Sequence, residues 1–121
     1  MNKILSWSRD NVLAIEFDSK IEEKEYKEMT AEVEKLLEKY DKIKVLTKVS
    51  SIEGAELSTM KDRLEFIVKN NMKQIEKYAM VGEQAIVKTL SKSLDIISSP
   101  NVRQFDFDEE EKAKEWILKE S

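Results

Sequence analysis

Runs of strand length alternate with runs of helical period along this chain, and that alternation limits its fold more than any single residue does. The end of the chain shows it well: Val102, Arg103, Gln104, Phe105, Asp106 and Phe107 read as a strand and stop at Asp108-Glu109-Glu110-Glu111. Ala113, Trp116 and Ile117 then fall on one side of a short helix, with Lys112, Lys114, Glu115 and Lys119 around it. A period of two sends successive side chains to opposite sheet faces, whereas steps of three and four gather on one helix face. The unit is a strand followed by a helix that packs back on a sheet. Its acidic run suits the helix start, where carboxylates cap free amides and meet the positive end of the dipole.

The same unit recurs upstream. Lys3 to Trp7 and Val12 to Phe17 are short strand candidates, and Ser8-Arg9-Asp10-Asn11 between them is turn chemistry, so an antiparallel hairpin is expected. Tyr26, Met29, Val33, Leu36, Leu37 and Tyr40 recur at helical steps with Glu and Lys on the other faces, which predicts a long amphipathic helix. Ser19 and Glu22 fit a capping box at its start, although Glu22 and Glu23 would also serve by lying near the positive dipole end. Ile43, Val45, Leu46 and Val49 predict another strand, Leu57 to Ile75 a helix, and Ala79, Met80 and Val81 a further strand. A helix from about Glu83 to Ile97, with Ile86, Leu90, Leu94 and Ile97 along one side, must end before Pro100. The expected order is ββαβαβαβα: one α/β domain over residues 1–121, its five-stranded, mostly parallel mixed sheet flanked by four helices. The first strand is expected as an antiparallel edge.

Composition removes whole classes of chemistry. With no cysteine and no histidine, the chain has no disulfide framework, no thiolate zinc site, no cysteine nucleophile and no imidazole base or metal ligand. No cofactor and no metal site is expected, and a reducing cytoplasm is the natural compartment. Charged residues make up 38% of the chain, yet the net charge is only -4 because lysines interleave with glutamates. No basic stripe for phosphates emerges, so nucleic acid is not an expected partner. The opening Met1-Asn2-Lys3-Ile4-Leu5-Ser6-Trp7 is too short in its apolar part for a signal peptide, and no run approaches the ~20 apolar residues of a membrane span.

Gly54 and Gly82 fall just after the carboxyl ends of expected parallel strands, the edge where open α/β sheets bind ligands. Turn chemistry explains both more simply. Neither sits in a phosphate-binding glycine motif, and Glu53, Glu56 and Glu83 beside them would repel phosphate. Asp106 with Asp108 or Glu109 has the ingredients of a glycosidase carboxylate pair, but capping of the last helix accounts for that run. The segment Leu57 to Ile75 is wider in its apolar stripe: Leu57, Met60, Leu64, Ile67, Val68, Met72 and Ile75, with Phe66 off centre. Ordinary core is the plain reading; a movable cover over an apolar pocket, a membrane-touching surface or a subunit contact are the others. Ser50, Ser51, Ser58 and Thr59 crowd its start, where Ser58 suits an N-cap and a phosphoserine would meet the helix amino terminus. Trp7 and Trp116 read as packing anchors.

Taken together, Ile43-Lys44-Val45-Leu46, Glu53-Gly54-Ala55-Glu56-Leu57, Tyr78-Ala79-Met80-Val81-Gly82 and Val102-Arg103-Gln104-Phe105-Asp106, with Ala113 and Trp116 behind them, resemble the SpoIIAA-like proteins, relatives of STAS domains. Ser19-Lys20-Ile21 and Tyr26 resemble that family's approach to its first helix, with Ser19 and Glu22 standing where glycine and threonine are more usual. The resemblance covers nearly the whole chain. It implies a small α/β sandwich, similar also to the CRAL-TRIO lipid-carrier fold, with no catalytic residues and a role in holding an apolar ligand or touching membranes. STAS anti-sigma antagonists carry an Asp-x-Ser-Gly phosphorylation motif before the second helix. Here the region reads Lys48-Val49-Ser50-Ser51-Ile52-Glu53-Gly54, without the aspartate and with the glycine displaced.

The leading functional expectation is a non-enzymatic cytoplasmic module that takes an apolar small molecule, a lipid or a membrane surface through Gly54, Leu57, Met60 and Leu64 and the facing Gly82, Ile86 and Leu90. The alternative is a regulatory domain that docks a protein partner and is phosphorylated at Ser50, Ser51 or Ser58. A hydrolase drawing on Glu, Asp, Lys, Tyr and Ser comes third. Homo-oligomerisation is compatible with all three.

Overall fold

The computed structural model describes residues 3–5, 8, 10–18, 22–50, 59, 62, 74–83 and 102–119. Four strands, β2 (Val12–Phe17), β3 (Ile43–Val49), β4 (Ile75–Gly82) and β5 (Val102–Phe105), pair in that order, all parallel. A two-residue strand, β1 (Lys3–Ile4), lies antiparallel on the outer edge of β2. Of the first strand expected over Lys3 to Trp7, Lys3 and Ile4 form a short edge, Leu5 lies beyond it and Ser6 and Trp7 lie outside the described residues; the parallel sheet has four strands. Beyond β1 the edge of β2 is served differently: the Leu5 amide donates to the Ala14 carbonyl at 2.8 Å, while the Ser8 hydroxyl accepts from the Ala14 amide at 2.9 Å. Ser8 also donates back to the Ala14 carbonyl at 3.2 Å. Asp10 turns the chain there with a positive φ of 53°, a conformation that Asp tolerates better than most residues.

Two helices are described among these residues, not the full set of four, because the expected helices over 57–75 and 83–97 lie almost wholly outside the described residues. Helix α1 (Glu23–Lys39) forms where the sequence has neither glycine nor proline and is rich in Glu, Lys and Leu. Its N-cap is Glu22, whose amide donates a hydrogen bond to the Glu25 carboxylate at 3.1 Å, so the capping residue is Glu22 rather than Ser19. The Tyr40 amide closes the last turn on the Leu36 carbonyl. Helix α2 (Glu110–Leu118) follows a 3-10 turn, Phe107–Glu109, that occupies the end of the expected fifth strand.

The sheet is covered on both faces, and alternation along each strand assigns the faces. Leu13, Ile15 and Phe17 of β2, Ile43, Val45 and Val49 of β3, and Tyr78 and Met80 of β4 pack with Met29 and Val33 of α1. Val12 and Ala14, Leu46, and Ala79 and Val81 pack on the other side with Ala113 and Ile117 of α2. Fully buried side chains such as Phe17 and Leu46 each contribute roughly 1.5–3 kcal/mol. The second face is built from small residues, with Ala14, Ala79 and Ala113 all at 0% exposure, which lets α2 lie close to the sheet.

One irregularity sets these faces in β4. Ile43 pairs with Ile75 but Lys44 pairs with Lys77, so Glu76 is an extra residue in a bulge. The bulge aims Lys77 beneath α2 and Tyr78 into the core beneath α1. Ile75 accordingly opens β4 instead of ending the preceding helix, and Gly82 closes it: the glycine is buried and paired with Val49 inside the ladder, not in a turn after the strand.

Candidate functional site

The carboxyl edge of the parallel strands is where the sequence places a ligand, and the described part of that edge is held by internal contacts. Ser50 follows β3 directly and donates its amide to the Phe17 carbonyl at 2.9 Å, tying the ends of β2 and β3. Gly82 sits beside it as the last residue of β4. Of the other expected site residues, Gly54, Leu57, Met60, Leu64, Ile86, Leu90, Ser51 and Ser58 lie outside the described residues, so only Ser50 and Gly82 are brought together. Lys48, two residues before Ser50, bridges Glu16 at 3.2 Å and Glu110 of α2 at 2.6 Å and lies 5.1 Å from the Phe107 ring. The hydrogen-bonded Glu110 carboxylate, opposed by burial and helped by Glu16, holds Lys48 above the ordinary lysine value. A cation so paired is a tether for α2 and is unsuited to act as a base.

The acidic run likewise does structural work. The Glu109 carboxylate accepts from the Asp106 amide at 2.9 Å and from Lys112 at 3.4 Å, and those two donors lower its pKa. Among the described residues no group of three or more carboxylates is arranged to hold a metal ion. Trp116 acts as the expected packing anchor: its ring centroid lies 6.1 Å from that of Phe105, with Lys77 and Arg103 at 5.2 and 5.4 Å.

At the opposite end of α2, two lysines on the inner face of the sheet reach the helix carboxyl terminus. Lys77 donates to the carbonyls of Trp116 and Lys119, both at 2.9 Å, and Lys44 donates to the Lys119 carbonyl at 3.4 Å. Each is only 8% exposed. Cations at a helix carboxyl end complement its dipole. Burial, and then the neighbouring Lys44 charge, push the Lys77 pKa down.

Two spaces lie beside α1. Between its inner face and the sheet is an apolar cavity of about 30 Å³ lined by Leu13, Phe17, Met29, Val45 and Tyr78, among others. It has room for about one water molecule, far below the roughly 300 Å³ at which ligand pockets begin. On the outer flank, between α1 and the β1–β2 edge, a half-open groove encloses about 480 Å³. Ile4, Ile15, Met29 and Ala31 line it together with Glu25, Glu28 and Glu32. Ile4 is 45% exposed there, one of two large hydrophobic residues so exposed among the described residues. The sequence does not single this groove out, because its floor comes from three separated elements. The available signal is the spacing of Glu25, Glu28 and Glu32 at helical steps flanking Met29.

The match to known families spans residues 12–118, from the first residue of β2 to the last of α2. This chain belongs to the SpoIIAA-like family. No curated protein sequence and no solved structure matches it. Membership makes the SpoIIAA-like chain a STAS-type α/β domain, in agreement with the parallel sheet. No described helix of this SpoIIAA-like chain is long and apolar enough to cross a membrane.

Proposed function

We propose that this SpoIIAA-like protein is a non-catalytic binding module that holds a partner against the flank of α1. The observation that carries this reading is the groove of about 480 Å³, with Ile4, Ile15, Met29 and Ala31 lining it and Ile4 left open to solvent. An exposed apolar surface framed by polar groups is the usual mark of a docking site. The chemistry supports binding over turnover: the sequence has no imidazole or thiol, Lys48 is committed to two carboxylates, and Glu109 caps a turn. A photo-crosslinking residue at Ala31, introduced in cells, tests the reading. A discrete adduct that disappears with Ile4→Arg is expected, and background labelling alone would refute docking. Turnover of a small molecule, abolished by changing one acidic or lysyl side chain, would refute the non-catalytic part.

A second reading follows from the sequence alone: the apolar Leu57, Met60 and Leu64, with Ile86 and Leu90 further along the chain, suit an apolar small molecule, a lipid or peripheral membrane contact in the cytoplasm. Native mass spectrometry and liposome flotation test it. No bound lipid and no flotation at any lipid composition would dismiss it. Control by phosphorylation at Ser50, Ser51 or Ser58 would appear in intact-mass analysis, and partner binding unchanged by alanine at all three would set it aside.

A further inference from the structure

The geometry points to a basic, amphipathic segment of a partner protein as the occupant of the α1 groove, an inference that rests on the docking reading and specifies its chemistry. The groove joins two kinds of surface. Ile4 offers exposed apolar contact over a floor of the largely buried Ile15 and Met29, and Glu28 and Glu32, with the Glu25 carboxylate that also accepts from the Glu22 amide, bring negative charge from α1 to the same space. No described lysine or arginine lines it. Lys24 and Lys27 lie with Glu23 on the neighbouring outer surface of α1, where Lys27 is already paired with Glu23 at 3.6 Å. Lys35, the next lysine along the helix, does not line the groove.

A segment with apolar anchors on one side and lysine or arginine on the other matches both surfaces. The apolar contacts supply affinity, and the charges supply encounter rate and selectivity, because pairs this exposed are screened by water and salt. The same carboxylates disfavour the competing occupants. An anionic membrane attracts lysine-rich surfaces and would be repelled here. A second copy of this chain, at net charge -4, would bring like charge to the groove.

The test is a titration of the full chain, followed by backbone amide resonances. The ligand is a short synthetic peptide with leucines at i, i+3, i+4 and i+7 and lysines elsewhere. A second peptide with glutamate in place of lysine is the control. The lysine peptide is expected to shift the amides of Ile4, Ile15, Met29 and Ala31, and Glu28→Lys combined with Glu32→Lys is expected to weaken it at least ~10-fold, as partial loss of charge complementarity would. Glu34→Lys, exposed and outside the groove, should change affinity by less than ~2-fold, and added salt should weaken binding. Should the double reversal perturb folding, Glu28→Gln with Glu32→Gln makes the same comparison at lower charge. Equal binding of both peptides in the groove, or indifference to charge reversal, would overturn the inference and leave the docking reading intact. Shifts elsewhere, or shifts produced by phosphatidylglycerol vesicles and not by the lysine peptide, would also overturn it. Crosslinking from Ala31 decides the docking reading independently.

Discussion

Replacing Lys77 with methionine isolates a contest between two physical effects at the base of α2. Methionine keeps much of the aliphatic stem and removes the ammonium that donates to the Trp116 and Lys119 carbonyls at 2.9 Å and lies 5.2 Å from the Trp116 ring. Hydrogen bonds to a charged group contribute about 1.5–3 kcal/mol each, and a cation at a partly buried helix carboxyl end up to about 2 kcal/mol. Against them stands the cost of keeping a charge at 8% exposure beside Lys44, visible as the lowered pKa. Because the helix carbonyls would be left without their donor in a buried place, the pairing should win, and Lys77→Met should destabilise the fold by about 1–3 kcal/mol. For a chain of this length that is about 3–5 °C in Tm per kcal/mol. Urea unfolding followed by Trp fluorescence would measure it, and hydrogen exchange should show α2 amides opening first. The sign with pH follows from the direction of the shift. Above the lowered Lys77 value the unfolded chain binds more protons than the native one, so stability rises with pH up to the ordinary lysine value near ~10.5. Lys77→Met lacks that rise, and the wild-type advantage should widen there. A variant as stable as the wild type at pH 7, or more so, would show that burial of the ammonium is the larger effect and refute the clasp.

Other outcomes follow from single contacts. Tyr78→Phe removes a buried hydroxyl paired with Thr47 at 3.2 Å and should cost about 1–2 kcal/mol in urea denaturation. Burial pushes the Tyr78 pKa up to about 12, so the wild type should hold its stability below pH ~10 and lose roughly 3 kcal/mol as pH rises to ~12, a loss absent from Tyr78→Phe. Ala113→Leu, between α2 and the alanines of the sheet, should overpack and cost about 1–3 kcal/mol by thermal unfolding, while Ala31→Leu on the exposed side of α1 should stay within about 0.5 kcal/mol. Glu110→Gln should cost about 1 kcal/mol, and a double-mutant cycle with Lys48→Met should return most of that as coupling. Lys48 is raised by its partners, so this coupling should persist below pH ~10.5 and fade as pH climbs through the raised value.

What could be read from the residues was what depends on period. The stripe from Tyr26 to Tyr40 produced α1, the alternation of Val12 to Phe17 produced β2, and Ala113 with Ile117 identified the buried side of α2. Ile75 was ambiguous because a β-branched residue at helical spacing also suits the start of a strand, and only the bulge at Glu76 resolves it. The roles of Lys44 and Lys77 are not legible in local pattern, although each lies at an inward position of a strand covered on both sides. A lysine at such a position needs an acceptor, and the acceptors are carbonyls at the end of a helix distant in sequence. The groove depends on Ile4, Ile15 and Met29 meeting, which no local pattern encodes.

The short β1 has a bearing on solubility. An outermost parallel strand of six residues would offer a neighbouring molecule a ready ladder of amides and carbonyls. Here the ladder is closed piecemeal by Lys3 and Ile4, the Leu5 amide and the Ser8 hydroxyl. Trimming the first nine residues should therefore uncover β2 and promote edge-to-edge pairing between molecules before the core loosens.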